Sequence, residues 1–121
     1  MKNIILLLIG MYFVSCGGNS NRTAAELWDS AQKYRAEAKL KESITSFKTI
    51  LDKYPSDDLA AESQFQIADI YLNDVKDFDF AVKEFKKVVD LYPDHEVSKK
   101  SLFMIAYIFN NYLNAYSDAI L

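Results

Sequence analysis

Cysteine and histidine each occur once in the chain, as Cys16 and His95. Zinc sites are built from sets of cysteine and histidine ligands, which this sequence cannot supply. A single histidine leaves one candidate base for a Ser-His-Asp arrangement, and such a base also needs a nucleophile and an orienting group within reach. His95 follows Pro93-Asp94 in the first turn of a predicted helix, where we expect it to be exposed to solvent. The sequence therefore predicts no metal site and no enzyme.

Three aspartates cluster between two predicted helices: Asp74, Asp77 and Asp79. Calcium loops use carboxylates at such spacing, but Val75 and Phe78 stand where a carboxylate and a glycine would be needed. Asp77 is instead predicted to cap the following helix, because its carboxylate can accept from the free N–H groups of the first turn. Carboxylates at the other helix starts are interpreted in the same way: Asp57, Asp58 and Asp94.

Cys16 follows an apolar segment at the start of the chain. Met1-Lys2-Asn3 is short and positively charged, and residues 4–14 (IILLLIGMYFV) form an apolar run of eleven residues. A membrane-spanning helix needs about 20 apolar residues, so this run is too short for a permanent anchor. Its length and flanks are typical of the apolar region of a secretory signal peptide. Small residues follow, as cleavage requires: Ser15, Gly17 and Gly18.

The segment Phe13-Val14-Ser15-Cys16 resembles the lipobox of bacterial lipoproteins, with Phe13 where leucine is commoner. The resemblance implies that residues 1–15 are cleaved and that Cys16 carries a covalent lipid, the one cofactor expected. Alternatives are ordinary cleavage after Gly17 and an uncleaved, buried cysteine. The lipid is favoured because the Gly-rich residues 17–21 oppose helix continuation and because a capped thiol cannot mispair in an oxidising periplasm. Two or more acyl chains make such anchoring stable.

The mature chain would carry 13 basic and 17 acidic residues, a net charge of about −4. Binding to nucleic acid needs a basic face, so no nucleic-acid partner is expected. Residues 16–22 have the composition of a flexible tether. Residues 23–121 are predicted to form one domain, which contains no glycine and opens with the capping-box pattern of Thr23 and Glu26. This composition predicts an all-α fold.

An internal repeat of 37 or 38 residues runs through the domain. Tyr54-Pro55 recurs as Tyr92-Pro93, 38 residues later. Small and aromatic residues recur before each pair: Ala31, Tyr34, Ser43 and Phe47; Ala68, Tyr71, Ala81 and Phe85; Ala106, Phe109 and Ala119. The one-residue difference between the first two blocks is predicted to fall in the Asn73–Phe78 loop. Each block contains two stretches of helical periodicity, so each predicts one helix pair.

This pattern resembles the tetratricopeptide repeat, in which helix pairs stack into a superhelix. The resemblance covers residues 24–121 and implies a helical solenoid of two full helix pairs plus an incomplete third. Helices are predicted at about 24–37, 40–53, 58–73, 79–91 and 95–111, with another beginning at about 116. Residues 102–109 are apolar on every side, which predicts burial against more than one neighbour. Because no polar capping helix follows, we expect a fragment of a longer repeat protein, with a covering partner as the alternative.

In tetratricopeptide proteins the first helix of each pair lines a concave groove. The resemblance implies that partner-binding residues recur with the repeat: Trp28, Phe65 and Phe103; Gln32, Asp69 and Tyr107; Arg35, Leu72 and Asn110. Aromatic anchors flanked by polar groups suit an extended or helical peptide. The alternative is that the aromatic side chains pack between repeats. The two interpretations are balanced for Trp28 and Phe65, and core packing is favoured for Phe103.

The lipobox and the repeats together resemble the tetratricopeptide-repeat lipoproteins of the bacterial envelope. That group includes the outer-membrane assembly lipoprotein BamD and the Tol–Pal-associated repeat protein. The resemblance implies a non-enzymatic scaffold that binds envelope proteins or peptides and no small-molecule substrate. Gly17 is not the aspartate retention signal of such lipoproteins, which favours the periplasmic face of the outer membrane. Alternatives are a Tol–Pal or cell-division coordinator and the docking module of a longer envelope enzyme.

Overall fold

The computed structural model describes residues 21–113, of which 83% are helical, with no strand among them. Five α-helices follow one another: α1 (Ala24–Ala36), α2 (Leu40–Lys53), α3 (Asp58–Ile70), α4 (Phe78–Leu91) and α5 (Glu96–Ile108). The π-helical segments Tyr71–Val75 and Phe109–Leu113 extend α3 and α5. The prediction of an all-α helical repeat fold is confirmed. The predicted signal peptide, Cys16 and the helix start at residue 116 lie outside the described residues.

Side chains at the helix starts accept hydrogen bonds from backbone N–H groups that have no partner within the helix. Thr23 Oγ1 accepts from the N–H of Glu26 at 3.2 Å, and the N–H of Thr23 donates to the Glu26 carboxylate at 2.9 Å, the predicted capping box. Asp57 caps α3, and Asp77 Oδ1 accepts from the N–H of Phe80 at 3.0 Å to cap α4. These caps explain why α1, α3 and α4 begin where they do.

The packing order of the helices sets the curvature of the stack. Each helix packs against the next along the chain. The first helices of successive pairs also touch, α1 against α3 and α3 against α5, whereas α2 and α4 make no contact with each other. The closer spacing of α1, α3 and α5 places them on the inner side of a curved stack. The inner side is therefore the concave surface on which the predicted groove residues were placed.

The two full helix pairs are built around equivalent aromatic contacts. Phe47 and Phe85 are fully buried, and each meets an aromatic ring of the first helix edge-on. The Trp28 and Phe47 centroids lie 5.3 Å apart at 71°, and those of Phe65 and Phe85 lie 5.3 Å apart at 65°. Ser43 Oγ donates to the carbonyl of Ala31 at 2.8 Å, so small residues let α1 and α2 approach closely. The repeat predicted from the sequence is thus visible in the core.

The π-helical segment Tyr71–Val75 holds the one residue by which the repeats differ. Ala31 and Ala68 are 37 positions apart, but the left-handed residues Ala38 (φ 59°) and Lys76 (φ 61°) are 38 apart. The extra residue therefore enters between Ala68 and Lys76. A π-helical turn accommodates it because its hydrogen bonds span five residues instead of four. The insertion begins closer to α3 than the Asn73–Phe78 loop in which it was predicted.

Candidate partner-binding surface

Arg35 of α1 is held by a cluster of polar side chains from α3 and the segment that follows it. Its Nη2 lies 2.6 Å from Asp69 Oδ2 and 2.6 Å from Asp74 Oδ2. Its Nε donates to Asp74 at 2.9 Å, and its Nη1 donates to Gln66 Oε1 at 2.9 Å. Asn73 Nδ2 donates to Asp69 Oδ1 at 2.8 Å, which orients that carboxylate. One guanidinium thus ties the first repeat to the second on the concave side.

The charge of this cluster remains accessible. Burial by itself lowers the pKa of Arg35, but the hydrogen bonds and charges of Asp69 and Asp74 outweigh burial and raise the pKa above its usual value. Arg35 is therefore a permanent cation between two carboxylates, and the cluster carries an excess of negative charge. The three side chains are 20%, 23% and 31% exposed. A partner can reach the carboxylate oxygens with hydrogen-bond donors or a cationic side chain.

Groove lining and core packing were equally favoured for Trp28 and Phe65, and the structure shows both rings in the core and partly accessible. Each ring is half-buried and packs edge-on against a core phenylalanine of its own repeat. Lys100 Nζ of α5 lies 5.7 Å from the centre of the Phe65 ring, a cation–π contact between the second and third repeats. Both rings also remain partly accessible on α1 and α3.

Phe103 and Tyr107 provide the most accessible aromatic surface among the predicted groove residues. Their side chains are 69% and 40% exposed. The expectation that Phe103 lies in the core was wrong, and so was the expectation that residues 102–109 are buried all round. Leu102 is 54% and Phe109 41% exposed, because the other helices within residues 21–113 contact α5 through the face that meets α3 and α4. Ile108, on that face, is fully buried.

Leu72 does not line the concave surface. It is 4% exposed and lies in the same buried cluster as Ala68 and Phe85. The prediction assumed that the 37-residue register of α1 and α3 continues past Ile70. The π-helical segment adds a residue there and turns Leu72 inward. Gln32 is half-buried on α1, and Asn110 is exposed.

The predicted groove residue Tyr107 belongs to an aromatic group at the end of α5 whose other members, Phe78 and Tyr112, were not predicted to take part in a site. The Phe78 and Tyr112 rings stack at 4.1 Å and 5°, and Tyr107 meets Tyr112 edge-on at 5.9 Å. A hydrogen bond with Tyr112 raises the pKa of the Tyr107 hydroxyl. The π-helical segment Phe109–Leu113 sets the spacing of these residues. Only the 38-residue shift from Tyr71–Val75 could have indicated that segment.

His95 is a helix cap in this structure. Its Nδ1 accepts from the N–H of Val97 at 3.2 Å, and its Nε2 lies 4.0 Å from Asp58 Oδ1. The side chain is 24% exposed, so the predicted solvent-exposed position in the first turn was wrong. His95 also takes the capping role that was assigned to Asp94, because its ring nitrogen reaches the free N–H.

The described residues provide neither a metal site nor a membrane-spanning helix. Between residues 21 and 113, no group of three histidine, cysteine, aspartate or glutamate side chains is arranged to bind a metal ion. Within the same range, no helix has both the length and the apolar character required to cross a membrane.

Comparison with known proteins agrees with a binding surface on a helical repeat. Residues 12–120 match the family described as soluble NSF attachment protein, SNAP. No curated protein and no solved structure matches the chain. The matched family has an all-helical repeat fold and consists of non-catalytic adaptors. The protein is accordingly a helical repeat scaffold for protein–protein interaction. Because the match extends over nearly the whole sequence, the chain belongs to the soluble NSF attachment protein family.

Proposed function

We propose that this protein is a membrane-anchored scaffold of the bacterial envelope that binds partner proteins or peptides on its concave surface. The observation that carries the proposal is that the charged Arg35 cluster and the exposed rings of Phe103 and Tyr107 lie on the first helices of successive repeats, which pack α1 against α3 and α3 against α5. Aromatic rings supply apolar contact area at low cost in side-chain entropy, and charged groups fix the register of the bound chain. The name of the family denotes attachment to another protein, NSF, which supports a binding role.

The envelope part of the proposal rests on the sequence around Cys16. Its lipobox-like segment supports lipidation, anchoring at the periplasmic face of the outer membrane and envelope proteins as partners. The resemblance to BamD supports a role in outer-membrane protein assembly. A Tol–Pal or cell-division coordinator of the same architecture is the alternative, and such proteins are typically soluble.

Site-specific cross-linking in the full chain tests the concave surface. A photoreactive amino acid at Tyr107 should capture a partner in envelope extracts, while the same group at Leu91 of α4 should not. Leu91 is a matched control because it is 61% exposed but lies outside the concave surface. Phe103→Ala should reduce the yield from position 107, since the neighbouring ring contributes apolar contact. Equal capture from positions 107 and 91 would count against the surface.

Metabolic labelling with palmitate tests the anchor separately. The wild-type chain should incorporate the label and sediment with membranes, and Cys16→Ala should abolish both. Cys16→Ser is a useful second variant, because a hydroxyl of similar size cannot form the thioether of a lipoprotein. A wild-type chain that takes up no label would favour the soluble coordinator. The outcome of the labelling does not affect the cross-linking test, because the concave surface does not include Cys16.

A further inference from the structure

The accessible side of α3 differs in charge from the accessible sides of α1 and α5. Seven of its thirteen residues are buried, and the other six lie on one face: Asp58, Leu59, Glu62, Phe65, Gln66 and Asp69. Three of these six are carboxylates, and α3 contains no lysine or arginine. Because each residue turns a helix by about 100°, Asp58, Glu62 and Asp69 lie within about 40° of one another. We call these three residues the acidic column.

The acidic column lies at the centre of the concave surface. Its helix packs against α1 on one side and α5 on the other. On the α1 side, Gln66 accepts a hydrogen bond from Arg35 at 2.9 Å. On the α5 side, the Phe65 ring lies 5.7 Å from Lys100 Nζ. The acidic column falls between these two edges of the accessible face, so a segment that binds in the concave surface passes over it.

The neighbouring helices carry other chemistry at the equivalent positions. The counterparts of Glu62 and Asp69, 37 residues earlier and 38 residues later, are neutral or basic: Ala25 and Gln32 on α1, Lys100 and Tyr107 on α5. Phe103 lies one turn before Tyr107, and both rings are exposed. Carboxylates on α3 and exposed aromatic rings on α5 therefore stand in adjacent columns of the concave surface.

The acidic column retains negative charge after its contact with Arg35. That guanidinium lies 2.6 Å from both Asp69 and Asp74, so one cation serves two carboxylates. Glu62 is partly accessible, and the side chain of Asp58 is 98% exposed. Carboxylate oxygens of the column can therefore accept hydrogen bonds from a bound segment. Cationic donors form the strongest hydrogen bonds of this kind.

We propose that the concave surface binds a basic segment of a partner protein, with a lysine or arginine on the acidic column and a large apolar side chain on Phe103 and Tyr107. The inference rests on the proposed binding function and adds the chemistry of the partner. Packed helices lie about 8–10 Å apart, so the two partner side chains are separated by about 10 Å. That distance corresponds to about three residues of an extended chain or about seven residues of a helix. An acidic segment is rejected, because like charges across an interface are unfavourable.

Selection from a library of random peptides displayed on phage tests this chemistry, with the full chain as bait. Enriched peptides should carry a lysine or arginine about three or about seven positions from a large apolar residue. Glu62→Gln with Asp69→Asn should abolish the preference for a basic residue and leave the preference for an apolar one. Both replacements conserve side-chain size, and an amide oxygen at position 69 can still accept from Arg35, so the fold should be retained.

Asp52→Asn with Asp90→Asn is the matched control. This pair also removes two carboxylates, but from exposed positions on α2 and α4, outside the concave surface. The control should select the same basic and apolar peptides as the wild type. If it loses the basic preference as well, the preference comes from net charge and not from the acidic column, which would overturn the proposal.

The affinity of one enriched peptide measures the contribution of a single carboxylate. Glu62→Gln should weaken binding by about 2- to 5-fold, the effect of one exposed ion pair, and Asp90→Asn should leave it unchanged. Enrichment of acidic peptides, of apolar peptides without a basic residue, or of no peptide at all would overturn the proposal. Cross-linking from Tyr107 does not depend on the charge of the captured segment. Capture from Tyr107 without a basic preference in the library would therefore remove this inference and leave the proposed binding function in place.

Discussion

The two junctions between successive first helices use opposite chemistry at equivalent positions. At the first junction, α1 meets α3 through Arg35, which binds Asp69 and Asp74. At the second junction, the residues 38 positions after those aspartates are Tyr107 and Tyr112, which meet each other edge-on. Similar backbones, including a π-helical segment at each of these two sites, thus present carboxylates in one repeat and tyrosines in the next.

The repeat therefore determines how the helices stack and leaves the side chains of the concave surface free to vary. The buried aromatic position of the second helix keeps its character from repeat to repeat, as Phe47 and Phe85 show. Concave positions do not, because their contacts are partly exposed and each contributes less to stability than a fully buried core ring. Hydrogen bonds to charged groups contribute about 1.5–3 kcal/mol each, and aromatic pairs about 0.5–1.5 kcal/mol. Such a surface can change its binding chemistry without loss of the fold.

The largest expected effects come from the core that both repeats share. Phe47→Ala and Phe85→Ala should each lower the free energy of unfolding by about 3–5 kcal/mol, because a fully buried ring is replaced by a cavity. Each variant also removes an edge-on contact, with Trp28 or Phe65. Urea unfolding followed by circular dichroism measures both. A large difference between the two losses in free energy of unfolding would contradict the equivalence of the repeats. The two junctions could then not be compared as variants of one repeat.

Arg35→Gln should have the next largest effect and is specific to the first junction. The carboxylates of Asp69 and Asp74 would lose their cationic donor, and we expect a loss of about 2 kcal/mol, reduced from the buried-pair value by partial exposure. Lys33→Gln on the same helix is the control and should change stability by less than about 0.5 kcal/mol, since Lys33 is an exposed surface residue. Urea midpoints for the two variants should therefore differ clearly; equal midpoints would show that the cluster does not hold the junction.

The sequence predicts the elements shared by the repeats better than the features that depend on one particular turn. Thr23 and Asp77 were identified as caps because their chemistry is local. Leu72 was misplaced because the π-helical segment depends on hydrogen bonds five residues apart, which no composition or periodicity of Asn73–Phe78 reveals. Phe103 was misplaced because its burial depends on a neighbouring helix and not on its own apolar surroundings. Sequence periodicity specifies which face a side chain shares, but not whether something covers that face.

Lys100→Gln addresses the second junction and should have a smaller effect than Arg35→Gln. It removes the ammonium group that lies 5.7 Å from the Phe65 ring. An exposed cation–π contact contributes about 0.5–1 kcal/mol, so the loss should be of that size. Lys99→Gln, at the adjacent position of α5, should have almost no effect. Equal losses in free energy of unfolding for Lys100→Gln and Arg35→Gln would show that the two junctions do not differ in energy.

The smallest effect concerns the Tyr107 hydroxyl and appears only at alkaline pH. Its hydrogen bond with Tyr112 raises its pKa in the folded protein, so the folded state favours the protonated hydroxyl. The stabilisation is therefore complete below the unfolded pKa of about 10 and is lost as the pH rises through the higher folded pKa. Urea unfolding at a series of pH values between about 9 and 11 measures the loss. Tyr107→Phe should reduce the decline seen in the wild type, and Tyr112→Phe, which removes the same hydrogen bond from its other end, should reduce it equally. The Arg35 guanidinium stays charged throughout this range, because its pKa is raised above its usual value. Arg35→Gln should consequently leave the alkaline slope unchanged, and a changed slope would mean that the two junctions are coupled.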